Sequence, residues 1–271
     1  MHVIHDLNFE YYPQDLPYFE RKYYKHFFPK YVQKADRIAT VSEYTKNDII
    51  KLYSIAKGKI DVVYNGASEA FQSLNEDEKQ HVREKYSGGK PYFVFVGALH
   101  PRKNLVNLFK AFDSFSQSNP SGIKLIIVGE KMWWTKEIRT AYEQMKRRDE
   151  VVFSGRLGFN ELTKVVGSAL ALTYVSYFEG FGIPIMEAFY AGTPVITSNV
   201  TSMPEVAGGA ALLIDPFSIE SISNAMQLIS SDEKLRKSLI EKGNERRNLF
   251  TWQKSADRLW ESIEKAIHSN L

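Results

Sequence analysis

The sequence has 271 residues, 44% of them hydrophobic, enough for a sizeable buried core and a length that sets roughly one to two domains. Its net charge of +3 comes from Lys and Arg interspersed with Asp and Glu, which does not imply nucleic acid as a partner, and the lack of cysteine excludes disulfides, thiolate nucleophiles and Cys-built metal sites. No apolar run approaches the ~20 residues of a bilayer span, no signal-peptide pattern opens the chain, and the six histidines lack the i, i+4 spacing of a zinc helix. The expectation is a cytoplasmic protein without a His-built metal site, with peripheral contact to the inner face of a membrane left open.

In chain order, "HVIHDL" reads as a strand and "YFERKYYKHFFPKYVQKA" as a helix. Then "DRIATVS" is a strand, "EYTKNDIIKLYS" a helix with Ser42 as its N-cap, and "IDVVYNG" a third strand. Three strands with two crossovers make half a Rossmann-like sheet, so residues 1–66 are expected to be part of an N-terminal domain. The stretch "PYFERKYYKHFFPKY" is both basic and aromatic. It suits contact with an anionic membrane surface, or equally a solvated basic helix face. The polar segment "ASEAFQSLNEDEKQHVREKYSGGK", ending in Gly-Gly, reads as a linker and lead-in to a second sheet.

From Lys90 onward, the strands "YFVFVG", "KLIIVGE", "VVFSG", "ALTYVS", "PVITS" and "AALLID" alternate with helical patterns. In the helix "NLVNLFKAFDSF", Leu105, Leu108, Phe109, Phe112 and Phe115 share one face. Alternation of this kind implies a parallel, doubly wound α/β sheet, here over residues 67–250, which binds ligands beyond the carboxyl ends of its strands. Residues 251–271 should form a terminal helix with Trp252, Ala256, Leu259, Ile263 and Ile267 along one stripe, packing back on the first domain.

"EGFGIPIMEA" carries the chemistry. Gly180 and Gly182 permit backbone conformations that a Cβ resists, and Pro184 suits the first turn of a helix. The N–H groups of Phe181, Gly182 and Ile183 would then point outward at a positive helix end, a site for phosphate. Glu179 and Glu187 flank that turn and would repel a phosphate placed directly on them. A nucleotide sugar reconciles the two demands: backbone holds its diphosphate, Glu179 accepts from the sugar and Glu187 from the ribose. The bland alternative is a solvated Glu179, and a Glu187 that merely favours the helix N-terminus. Charge neutralisation is available from "GALHPRKN", where Gly97 closes a strand and Arg102 and Lys103 precede a helix. His5 stands at the end of the first strand and suits a hydroxyl contact or proton shuttling, or a purely structural role. Trp133 and Trp134 suit either a cleft wall or the core.

Together these residues resemble glycosyltransferase family 4, retaining enzymes of GT-B fold that use nucleotide sugars without a required metal. "HDLNFEYYP", "ADRIATVSEYTKNDII", "IDVVYNG", "FVFVGALHPRKNL", "VVFSGRL", "YFEGFGIPIMEAFYAGTPVITSNVTSMPEVAGGAALLIDP" and "FTWQKSA" occur in the family's order. The resemblance implies that Glu179 lies near the transferred sugar and the reacting centre, and that Glu187 binds the ribose. It implies further that Lys103, helped by Arg102, binds the diphosphate, that His5 contacts the sugar, that Gly180 to Ile183 give backbone donors, and that Gly155 to Leu157 border the base. GDP-mannose is the first expectation for donor and a glycan or lipid-linked molecule for acceptor.

Two departures qualify the match. Ala98 stands where many relatives carry an arginine, so Arg102 must cover that role. The βα units that relatives carry ahead of the "HDL" strand, on the order of a hundred residues at 30 or more per unit, are not in this sequence. Because those units carry most of the acceptor pocket, catalysis is expected to need them, supplied by a longer chain or a separate polypeptide. A non-catalytic nucleotide-sugar-binding fragment and a GT-B nucleotide-sugar epimerase are the competing readings.

Overall fold

A computed structural model of the protein describes residues 1–268; the last three residues of the expected 251–271 helix lie outside the described residues. The first part of the chain runs β1 (His2–Ile4), α1 (Asn8–Tyr11), α2 (Tyr18–Lys34), β2 (Ile38–Thr40), α3 (Glu43–Tyr53) and β3 (Ile60–Val62). The three strands are parallel in the order β1-β2-β3. Alternation across the pleat sends Ile4, Ile38 and Ile60 to one face, where they pack with Val32 of α2 and Ile49 of α3. Ser42 caps α3 as expected, its Oγ accepting from the Thr45 N–H.

The expected linker contains a helix, α4 (Glu76–Ser87). It is held by a capping box in which Asn75 and Glu78 each accept from the other's backbone N–H, and it stops at Gly88 in the left-handed region (φ 62°). Beyond it come β4 (Tyr92–Val96), α5 (Leu105–Ser118), β5 (Lys124–Val128), α6 (Lys136–Glu143), β6 (Val151–Gly155), α7 (Phe159–Gly167), β7 (Ala171–Tyr174), α8 (Ile183–Tyr190), β8 (Val195–Ser198), α9 (Met203–Ala207), β9 (Leu212–Ile214), α10 (Ile219–Ser231) and α11 (Glu233–Arg246). The strand order β6-β5-β4-β7-β8-β9 is that of a complete doubly wound sheet, with the order reversing at β4. Phe93 and Phe95 join α5 and α10 on one face, and Tyr92 and Val94 join α7 and α8 on the other. All five apolar positions read for α5 are buried.

The terminal helix α12 (Trp252–His268) returns to the first sheet along a stripe offset toward its serines, with Leu259 and Ile263 of the apolar stripe half-buried beside them. Ser255 and Ser262 are its buried residues; their hydroxyls donate to the Tyr64 carbonyl and, at 2.7 Å, to Asp61, while Trp252 and Ile267 stay exposed. Small polar side chains allow the close approach, and a Cβ on Gly66 would lie 2.4 Å from the Trp252 nitrogen.

Contacts between the halves are specific. The Glu205 carboxylate of α9 accepts from the backbone N–H groups of Glu43 (2.8 Å) and Tyr44 (3.0 Å) at the start of α3, and from the Tyr64 hydroxyl at 2.8 Å. An anion on those free amides and the positive helix end ties the second sheet to the first.

Candidate active site

Three strands of the larger sheet end on glycines in the positive-φ region, Gly97 (151°), Gly129 (151°) and Gly155 (70°), and lie side by side: Gly97 donates to Val128, and Gly129 to Gly155. Only Gly fits at 129, where a Cβ would fall 1.9 Å from the Gly97 carbonyl oxygen. These turns lie at the carboxyl ends of β4, β5 and β6. Gly155 has nothing within 4 Å of its Cβ direction, and Leu157 is half-buried against the core.

After β4, a single 3-10 turn at Pro101–Lys103 leads to Asn104, whose φ of 61° redirects the chain into α5. The buried Asn104 amide pins this loop by donating to the carbonyls of Val175 (2.9 Å) and Pro216 (2.8 Å). His100 Nδ1 accepts from the Arg102 N–H. The loop therefore delivers Arg102 and Lys103 in fixed orientation to the end of β7, and Glu179 meets them there. Lys103 Nζ lies 2.7 Å from Glu179 Oε1, and Arg102 Nη1 3.0 Å from Oε2. Lys103 also donates to the Tyr174 hydroxyl at 2.9 Å, and Arg102 to the Phe178 carbonyl at 2.6 Å.

The cluster is nearly dry. Burial alone would push the Glu179 carboxyl up, but Lys103 and then Arg102 overcome it and hold the group below the usual carboxylate range. Burial pulls the Lys103 ammonium down against the opposing pull of Glu179. Glu179 is thus an anion anchored by both cations. One donor is left over: Arg102 Nε is buried and meets no acceptor among the described residues.

The turn that follows is held from two sides. Gly180 presses against the first sheet, since a Cβ there would lie 2.0 Å from the His5 carbonyl oxygen. Phe181 is buried among Tyr64 and Phe250. Ser202 donates to the carbonyls of Glu179 (2.8 Å) and Phe181 (3.1 Å), and the Thr201 hydroxyl accepts from the Glu179 N–H. Gly182 adopts φ 106° and caps α8, with Pro184 in its first turn. The carbonyls are occupied while, among the described residues, no acceptor meets the N–H groups of Phe181, Gly182 or Ile183. Glu187, one turn into α8, meets no donor among the described residues either, and burial lifts its carboxyl from 4.5 to about 7.

Of the residues singled out in the sequence, the structure brings together Arg102, Lys103 and Glu179, with the 180–183 turn following directly. The His5 side chain lines a groove of about 330 Å³ between the first sheet and α12, with Val3, Trp252 and Leu259, while its carbonyl abuts Gly180. Trp134 packs in the core against Phe109, Tyr142 and Phe153; Trp133, part-exposed, stands edge-on to His100. Asn104, Tyr174, Thr201, Ser202 and Glu205 also build the site and carry no spacing signal in the sequence. "TSMPE" lies in the long central family block, but only the fold aligns its hydroxyls and carboxylate with their partners. Among the described residues no three His, Asp or Glu side chains gather in a way that could hold a metal ion.

The sequence matches the family described as "Glycosyl transferases group 1" over residues 76–246, and that described as "Glycosyltransferase Family 4" over residues 1–71. The chain belongs to the group 1 glycosyltransferases. Within this family it is similar to the O-antigen chain mannosyltransferase B of Escherichia coli, 28% identical over 257 residues that cover 93% of this chain and 66% of that protein. It is also similar to the O-antigen chain mannosyltransferase RfbU of Salmonella typhimurium, 31% identical over 84% of this chain and 60% of that protein. This group 1 glycosyltransferase chain therefore spans about two thirds or less of the length of these relatives. Among solved structures, the sucrose-phosphate synthase of Thermosynechococcus elongatus superposes with a TM-score of 0.83 at 22% identity, covering 99% of this chain and 68% of that one. WaaG, a glycosyltransferase involved in lipopolysaccharide biosynthesis, superposes at 0.76 and 18%, covering 96% and 73%. The fold is of GT-B type: a complete doubly wound domain facing part of a second Rossmann-like sheet.

Proposed function

We propose that the chain carries the donor half of a retaining hexosyltransferase that moves a sugar, with GDP-mannose the first candidate donor, onto a glycan or lipid-linked acceptor. The observation that carries this reading is the pairing of unsatisfied donors with an unsatisfied acceptor around one turn. Three free amides at a helix start and the orphaned Arg102 Nε suit a diphosphate, and the unpaired Glu187 suits a diol next to it. Lys103, Arg102 and Glu179 carry a net charge of +1 that is preorganised at the strand ends, where a leaving diphosphate would be stabilised as the glycosidic bond breaks. Glu179 would also set the position of both cations. The mannosyltransferase names of two relatives and the UDP and glucose bound by HepE of Anabaena, a structural neighbour, support the nucleotide-sugar class. No metal is assigned a role.

The wall that would present the acceptor is proposed to come from polypeptide outside these 271 residues, in the same longer chain or in a separate one. Calorimetry with GDP-mannose, GDP, UDP-glucose and UDP on this chain, followed by a transfer assay on it and on an N-terminally extended form, tests both parts. Binding of a sugar nucleotide by this chain and faster turnover by the extended form are expected. Absence of binding to any nucleotide would refute the donor site, equal turnover by the two forms would refute the need for added polypeptide, and reversible epimerisation without acceptor would make the protein an isomerase.

A further inference from the structure

Just after β9 the larger domain holds an aromatic ring out in water and braces it there. Phe217 is 64% exposed, and its ring stacks on that of the half-buried Tyr177, with centres 4.9 Å apart and planes inclined by 16°. The backbone beneath the pair is fixed from several directions. The Phe217 N–H donates to Asp215 Oδ1 at 2.9 Å, the local turn that Asp favours. The Pro216 carbonyl accepts from the amides of both Asn104 (2.8 Å) and Asn107 (3.0 Å), and Asn107 also donates to the Tyr177 hydroxyl at 3.0 Å. On the other side, the Tyr177 N–H donates to the Arg102 carbonyl at 2.9 Å. An exposed ring gains little by itself from such bracing, whereas a ligand that lies on it is met by a surface already ordered.

We propose that the stacked Phe217 and Tyr177 form a binding platform for one pyranose ring of a neutral glycan. The chemistry of the patch selects that ligand. An aromatic face is weakly negative and receives the weakly positive C–H groups on one side of a sugar ring, while the hydroxyls around the ring need polar partners at its edge. The exposed carboxylate of Asp215 stands at that edge as an acceptor, and the same charge disfavours a phosphate or a nucleotide. A single braced ring also falls far short of the roughly 800 Å² per partner that a stable protein interface covers, so the patch suits a small flat ligand.

Position ties the platform to the cleft. Tyr177 stands two residues before Glu179, so their Cα atoms lie within about 7 Å of each other. Burial first, and Tyr12 of the smaller half next, push the Tyr177 hydroxyl up, which sets the platform beside the gap between the halves. A glycan resting one ring on Phe217 would carry a neighbouring ring to the rim of the site, as an acceptor chain must. This last step deepens, and rests on, the reading of the cleft as a donor site; the glycan contact itself does not.

The test is affinity electrophoresis of the 271-residue chain through gels that contain linear α-mannan or dextran, at low and high salt. Retardation by at least one of these neutral polysaccharides, unchanged by salt, is expected. Phe217→Ala and Phe217→Leu should each raise the apparent Kd about tenfold, because both remove the ring face, and Phe217→Trp should retain binding. Urea melts of the three variants should match wild type, since the ring is exposed. No retardation by either polysaccharide, retardation that salt abolishes, or full binding by Phe217→Ala would overturn the proposal. Full binding by Phe217→Leu would do the same, by reducing the contact to a general apolar one. Self-association that Phe217→Ala abolishes would also overturn it, by giving the ring to a second copy of the chain. Calorimetry with GDP-mannose on the same samples keeps the two readings separable: donor binding without glycan binding sinks this proposal alone, and glycan binding without donor binding sinks the donor site alone.

Discussion

The two sheets treat their surroundings differently. The six-stranded sheet has its strands in complete doubly wound order, helices on both faces, and its buried charges closed on one another in the Arg102–Glu179–Lys103 cluster. The three-stranded sheet has α2 and α3 on one face and α12 over a groove on the other, and β1 forms its outer edge with Val3 half exposed. Parallel sheets are stable when covered on both faces and protected at their edges. The larger sheet meets that demand internally, and the smaller one presents surface. Stability and donor chemistry should therefore reside in the first region, and polypeptide partners in the second.

The sharpest way to break this division is Glu179→Gln. It leaves two cations in a dry site without their counter-charge, and should destabilise the larger domain by about 3–5 kcal/mol in a urea melt. A change below ~1 kcal/mol would mean that the cluster is more hydrated than its burial suggests. Next in size is Gly180→Ala, which places a methyl group on the His5 carbonyl and must push the sheets apart. Its expected cost is about 1–3 kcal/mol, with a larger radius of gyration in X-ray scattering; unchanged scattering would show that the turn yields instead.

Glu205→Ala removes the carboxylate that joins α9 to the start of α3. A loss of about 1–2 kcal/mol is expected, with faster proteolysis between residues 65 and 75. If cleavage there is unchanged, other contacts hold the halves together. Near pH 4 the smallest effect belongs to Glu187→Gln. Because the folded state raises this carboxyl from 4.5 to about 7, it retains a proton that the unfolded chain gives up. Native stability is therefore lost as pH rises through that window, and the variant should gain about 3 kcal/mol over wild type at pH 8 and nothing near pH 4. Nucleotide affinity should move the opposite way, rising with pH in wild type as the ionised carboxylate forms and staying flat in the variant. A pH-independent wild-type affinity would remove Glu187 from the ribose.

Much of the larger region was legible because its signals are local. Each of its six strands is a short β-branched or aromatic run, and the α5 face follows from spacing alone. The Asn75 to Glu78 capping signature was also in plain view, but the polarity of residues 67–90 masked it: α4 is held by its caps more than by an apolar stripe. For α12 the apolar period placed the sheet-facing side only approximately, since the closest helix-to-sheet approach is made by serines, which a count of hydrophobic residues passes over. In the site, the glycine turn and its flanking carboxylates could be read from ten residues. The engagement of Glu179 by Lys103 spans 76 positions and depends on β4 and β7 being neighbours, which chain order does not state.

The central claim is that free amides at residues 181–183 receive a diphosphate beside Arg102 and Lys103. A crystal structure of the chain with GDP-mannose bound tests it most directly. Phosphate oxygens should lie within about 3 Å of those amides, with the ribose hydroxyls on Glu187. A nucleotide held elsewhere, or amides still without a partner in the bound state, would contradict the account.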